Sequence, residues 1–205
     1  MLLHLVRHAR PSIKPGRPAS SWDLHEDAAI DIAALRSSGV LPDRAAWFSS
    51  DEPKAVQTAT QLGGSPRRLP GLREVERPAD WLSSEEFVAV VTRSMQQPAV
   101  PGRPGWESAA AVQARVYDTL LRHVFPVVQT QPAESSTDIV LVGHGTAWTM
   151  LVAALTDQPP DVEAWRGMTT PDHCALELER GSVQDGTDRP ARAKVVRRWG
   201  GWRST

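Results

Sequence analysis

Two histidines close apolar runs. His8 follows LLHLV (2–6) and Arg7, and His144 lies inside IVLVGHGTAW (139–148). Imidazole changes charge near neutral pH, so it can act as nucleophile, proton carrier or hydrogen-bond donor. A lone histidine at a strand end is by default a structural hydrogen-bonding residue. In an open α/β sheet, however, ligands bind beyond the carboxyl ends of the strands. Two histidines at one such edge can converge on one ligand. Arg7 directly precedes His8, although strand alternation turns it to the opposite face unless the pattern breaks there. His4 and His8 have the i, i+4 spacing of a helical metal pair. On a strand they stand about 13 Å apart, too far for one ion, so no metal is expected.

A cation and two acids lie elsewhere in the chain. AAWFSSDEPKAVQTA (45–59) reads as a strand running into a capped helix. With Ser50 as N-cap, Pro53 takes the third helical position and Lys54 ends the first turn. Ser49 is the rival cap, with Glu52 as its capping-box partner. Helical side chains lean toward the N-terminus, so the Lys54 ammonium can reach the sheet edge, where free N–H groups also favour an anion. The plain alternative is a solvated surface lysine. GLREVERP (71–78) adds Glu74 and Glu76 after a loop.

These residues need a frame. Apolar runs at 2–6, 46–48, 138–142 and 174–179 read as strands, and 193–199 as an edge strand. CALELE (174–179) alternates apolar and charged residues, which predicts an outer strand with one wet face. IVLV reads as a central strand covered on both sides. Helices are expected at 27–37, 51–62, 84–95, 107–125 and 146–156. The helix 107–125 is expected to bury Ala111, Ala114, Val116, Leu120, Leu121 and Val124, with Pro126 as its stop. Loops fall at 11–23, 63–71, 98–106, 129–137 and 181–191. Alternating strands and helices predict an α/β layer protein with a mainly parallel sheet.

Composition narrows the function. A length of 205 residues favours one domain, 1–205. Lys plus Arg is 23 and Asp plus Glu 24, so net charge is −1. That argues against nucleic acid as a partner. One cysteine, Cys174, excludes a disulfide framework and reads as a buried strand residue. No apolar run suggests a membrane span, and Met1 to Val6 is too short for a signal peptide, so a cytoplasmic protein is expected.

In order, these segments resemble the histidine phosphatase superfamily, the phosphoglycerate-mutase-like fold. The resemblance rests on Arg7-His8-Ala9, SSDEPKAVQTA (49–59), LRE (72–74), GWESAAAVQARV (105–116) and VGHG (142–145). It spans residues 2 to about 156. It implies a three-layer α/β/α domain with helices on both faces of the sheet. Ala9 stands for the usual Gly, and Lys54 for a phosphate-binding Arg, which keeps the charge but loses the two-pronged fork. Pro78 and the pair Arg10-Pro11 also depart from the family pattern.

The resemblance implies phosphoryl transfer through a phosphohistidine on His8. Arg7, Lys54 and His144 would bind the phosphoryl oxygens, with a charged His144 helping to keep His8 neutral. Glu74 is the expected general acid and base, with Glu76 as runner-up. No metal or other cofactor is expected. The expected activity is hydrolysis of a small phosphomonoester by a monomer or homodimer. A phosphoglycerate-mutase-type transferase and a weak phosphate-ester-binding member are the alternatives. A nucleotide-binding reading of GHGTAW fails, because Trp148 stands where a third glycine is needed. Eight tryptophans against one tyrosine read first as core or loop anchors; the sharper reading is that some wall the pocket, with Trp22, Trp81, Trp106 and Trp148 as candidates. Trp199 and Trp202 read as tail anchors.

Overall fold

LLHLVR forms β1 (Leu2–Arg7), whose four central residues are all buried. Leu3 and Leu5 face one side of the sheet, while Val6 faces the other. The computed structural model describes residues 1–79, 82–129, 138–179 and 192–204. The other strands are β2 (Ala45–Ser49), β3 (Arg67–Arg68), β4 (Asp138–Gly143), β5 (Asp172–Leu178) and β6 (Ala193–Arg197). They form one sheet in the order β3-β2-β4-β1-β5-β6. The pairings among β3, β2, β4 and β1 are parallel, whereas β5 runs antiparallel to both neighbours.

Helices cover both faces. On one side α4 (Ala109–Thr119) and α6 (Gly145–Thr156) bury Val116, Trp148 and Leu151 against Leu3, Leu5 and Leu141. On the other, α1 (Ala28–Ser37) and α2 (Pro53–Gln61) bury Ile32, Leu35 and Ala55 against Val6, Val140 and Val142. A third cluster joins α3 (Ser84–Gln96) and α7 (Val162–Gly167) through Val91, Trp165 and Met150. The three-layer architecture therefore matches the expectation. Among the described residues no helix is long and apolar enough to cross a membrane.

Register brings three strand ends together. Arg7 pairs with Gly143, and Ser49 with Val142. The ladder runs one step further, with the N–H of His8 donating to Gly143 O at 2.8 Å and that of Ser50 to Val142 O at 3.1 Å. His8, Ser50 and His144 thus leave the sheet side by side.

Several expectations need correction. CALELE is not an outer strand: β5 lies between β1 and β6, and of its seven residues only Glu177 is exposed. β6 is the edge strand and occupies its far side. Pro126 does not stop the helix. α4 widens into a π turn at Leu120–Val124, and α5 (Phe125–Gln129) continues from it. The wider turn relieves the clash of a helical proline, and Pro126 falls in the first turn of α5, where a missing N–H costs little. The buried stripe is narrower than expected: Val112, Val116, Leu120 and Val124 face the core, whereas Ala111, Ala114 and Leu121 are exposed. β3 and α7 were not anticipated, being too short to show a period. The loops 129–137 and 181–191 fall almost wholly outside the described residues.

Candidate active site

The site is built on the ends of β1 and β4. His8 is nine-tenths buried beyond β1, and its ring centroid lies 5.2 Å from that of His144. His8 Nδ1 lies 2.7 Å from the carbonyl of Ala9 and donates to it. That bond fixes the tautomer and leaves the lone pair on Nε2. Burial, then the neighbouring His144, Lys54 and Arg7, push the His8 pKa well below the ordinary imidazole value. His8 is therefore neutral at pH 7. Ala9 is wholly buried in the α1–α2 core, and its N–H donates to Thr58 Oγ1 at 3.0 Å.

Arg7 closes β1 and turns to the α7 side, where Nη1 donates to Met168 O at 2.8 Å. Its Nε is buried and has no hydrogen-bond partner among the described residues. Burial lowers the Arg7 pKa, against Glu74 and Asp172, which raise it. The guanidinium starts so far above neutrality that it stays charged.

Lys54 is not a solvated lysine: it is 4% exposed. Its Nζ donates to the Ala19 carbonyl at 2.7 Å and is ion-paired with Glu52. The expected cap was wrong. α2 starts at Pro53, with Glu52 as the capping residue and no side-chain cap. Ser50 still continues β2, so its hydroxyl is spent elsewhere, 2.8 Å from His144 Nε2. Pro53 opens the helix, where its ring is pre-set for the turn.

His144 precedes α6, wholly buried. Nε2 faces Ser50 Oγ and, at 3.4 Å, Glu52 Oε1, while Nδ1 has no hydrogen-bond partner among the described residues. Burial first, then Lys54, Arg7 and Arg115, push its pKa well below the ordinary value. The expected charged His144 is thus replaced, in the free site, by a neutral one. Of the two glycines beside it, Gly143 is required by its contacts and Gly145 sits in a tight one. A Cβ on Gly143 would lie 2.6 Å from the Trp148 ring, and one on Gly145 3.3 Å from Trp165 Nε1.

Glu74 and Glu76 separate cleanly. Glu74 sits at the start of α6, where Oε2 accepts from Thr146 N at 3.1 Å and Oε1 from Ala147 N at 3.2 Å. Desolvation raises its pKa, and the nearby Glu52 charge adds to this. The backbone bonds from Val75 and Thr146 and the Arg7 charge only partly oppose it. Glu76 lies on the exposed rim and bonds through its backbone to Glu107.

Sequence reasoning missed three residues. Glu52 was weighed only as a capping partner, yet it is buried among Lys54, His144 and Glu74. Arg115 on α4 pairs with Glu107 and donates to the carbonyls of Gly71, Arg73 and Glu74, holding the acid loop. Ser50 was read as a cap. For Glu107 and Arg115 the signal was present: both lie in GWESAAAVQARV, at matched positions.

Arg7, His8, Glu52, Lys54, Glu74 and His144 meet at a cavity of about 1150 Å³. Trp22, Phe87 and Trp165 supply its aromatic wall, and Arg10, Arg17, Arg73 and Arg77 its outer cations. Trp148 does not face it. That ring is wholly buried, and its Nε1 donates to Val6 O at 2.8 Å. Trp106 packs against Phe87 beneath the wall. Trp81 lies outside the described residues. His4 bonds His173 at 3.0 Å instead of joining His8. Cys174 is buried, which pushes its thiol up to about 12, so it is no nucleophile.

A family model for the histidine phosphatase superfamily (branch 1) matches residues 3–184. No curated protein gives a significant sequence match. Among solved structures, a mycobacterial glucosyl-3-phosphoglycerate phosphatase superposes with a TM-score of 0.74 at 23% identity, covering 96% of this chain and 97% of that one. A second mycobacterial protein, described as a hydrolase, gives 0.72 at 23% identity, covering 95% and 96%. A protein from Thermus thermophilus gives 0.59 at 25% identity, covering 97% and 99%.

Proposed function

The chain belongs to the histidine phosphatase superfamily, and from that premise we propose that it is a phosphomonoester hydrolase working through a phosphohistidine. One observation carries the reading: a neutral His8, tied at Nδ1 and open at Nε2, faces a cavity shared with Arg7, Lys54, His144 and Glu74.

The steps follow from that geometry. His8 Nε2 attacks phosphorus as the bond to the leaving oxygen breaks. The transferring group carries its charge on three equatorial oxygens, so catalysis is mainly positioning and electrostatics. Arg7, Lys54 and the Nδ1 of His144 are the donors for those oxygens. Glu74, held toward its protonated form, gives its proton to the leaving oxygen. Water then attacks the phosphohistidine, Glu74 takes back a proton, and the P–N bond breaks to release phosphate and His8. The positive charge comes from side chains, so the activity is proposed to be metal-independent. The cavity exceeds a phosphoryl group many times over, which leaves room for a sizeable leaving group lying against Trp22 and Phe87. The mycobacterial neighbour's name includes a sugar phosphoglycerate, a substrate class this cavity has the volume to admit.

The test is p-nitrophenyl phosphate hydrolysis from pH 4 to 8, with chelator present, for wild type and His8→Ala. Turnover in wild type, at least a thousandfold loss in His8→Ala and indifference to chelator are expected. Equal rates in the two proteins would defeat the phosphohistidine reading.

A further inference from the structure

A pocket for a phosphoryl group holds a carboxylate that repels it. Glu52 lines the cavity yet is only 4% exposed. A buried carboxylate needs compensation, and Glu52 has three sources of it. Its Oε2 is paired with Lys54 Nζ. Its Oε1 accepts from the N–H of Glu74 at 3.0 Å and lies 3.4 Å from His144 Nε2. A carboxylate that served only to neutralise Lys54 would need the first of these contacts and neither of the others.

We propose that Glu52 is a positioning residue that joins Lys54, His144 and the Glu74 backbone into one charge-balanced unit around the phosphoryl site. The inference rests on the phosphatase reading above. Lys54 has three N–H donors. One meets Glu52 and one Ala19 O, so the ammonium is pinned and the third donor remains for a phosphoryl oxygen. His144 has Nε2 directed at Ser50 and Glu52, so Nδ1 is the nitrogen left for the ligand. When an anion enters and His144 gains a proton, Glu52 offsets the new charge.

Glu52 also acts on the acid. The groups facing Glu74 are Arg7 from β1, Glu52 from the start of α2, the amides of Val75, Thr146 and Ala147, and Arg115 of α4 on its carbonyl. Glu52 is the negative one among them, and its charge adds to the desolvation that pushes Glu74 toward its protonated form. The unit thus gives up phosphate affinity and gains a competent acid and faster product release.

Glu52→Gln keeps the shape and removes the charge. Calorimetry with inorganic phosphate should show binding roughly tenfold tighter than wild type, because one negative charge near the anion is gone. In p-nitrophenyl phosphate hydrolysis kcat should fall roughly tenfold with KM no higher. The basic limb of the kcat–pH profile should move to lower pH. A merely structural Glu52 would lower thermal stability and leave phosphate affinity and the basic limb in place. That result would overturn the proposal.

Should Glu52→Gln fail to fold, the double variant Glu52→Gln, Lys54→Met buries no unpaired charge. Its basic limb should lie at lower pH than that of Lys54→Met alone, because the negative charge facing Glu74 is gone. Coincident basic limbs in those two variants would also overturn the unit. Absence of turnover in wild type would defeat the phosphatase reading, while the phosphate-affinity comparison would still decide the role of Glu52.

Discussion

Glu74 shows how a single side chain acquires a task from its surroundings. Its carboxyl is raised above the usual range by desolvation and by Glu52. The proposed mechanism requires a protonated Glu74 for the leaving oxygen, so the chemical step should slow as pH rises through that raised value. Glu74→Gln should lack this limb. With an alkyl phosphate its kcat should fall by roughly two to three decades. With p-nitrophenyl phosphate the loss should be much smaller, because that leaving group needs little protonation. Equal losses with both esters would remove Glu74 from the acid role. At Gly143 the constraint is steric. The Trp148 ring occupies the place of a Cβ, so Gly143→Ala should cost about 1–3 kcal/mol. An unchanged denaturant midpoint would contradict the contact.

At the scale of elements, α4 holds the loop that carries Glu74, the proposed acid. Arg115 spans Glu107 and three loop carbonyls. Lysine has the charge but not the planar fork that makes four contacts at once. Arg115→Lys should therefore lower kcat roughly tenfold while KM moves little, and rate measurements at saturating ester would show it. A rise in KM with kcat intact would place Arg115 in binding instead. β1 and β4 have a simpler task. Their parallel register aligns Arg7 with Gly143, and the next residue on each strand is a histidine. Both strands were legible as apolar runs, and so was the edge to which they lead. The narrower stripe of α4 and its π turn were not, because helical periodicity does not reveal where a helix widens.

Across the whole molecule, four buried histidines set the response to acid. His8 and His144 lie in the site, while His4 and His173 stack in the sheet at 5.2 Å. Burial, then His4 and Arg197, lowers His173 from 6.5 to about 3. Below pH 6.5 the unfolded chain takes up a proton that folded His173 refuses. Stability is thus fully present above that pH and is lost as pH falls toward 3, by up to about 1.4 kcal/mol per pH unit for this residue. His173→Gln should reduce the slope of unfolding free energy between pH 6 and 4 by that amount. An unaltered slope would mean that His173 protonates in the folded state.

The layer architecture, the two strand-end histidines and the cation on α2 were all legible before folding. Each rests on something local: an apolar run, a turn, or a matched motif. Tertiary structure decided the rest. It set Glu74 against the start of α6 and left Glu76 on the rim. It buried Lys54, turned Arg7 toward α7, and sent Trp148 into the core with its indole N–H on β1. It also placed Glu52 beside His144, 92 positions further along the chain. Nothing in the spacing of those two residues anticipates that contact, because it is made only when parallel β2 and β4 pair in register. The charge balance of the site is a property of that pairing.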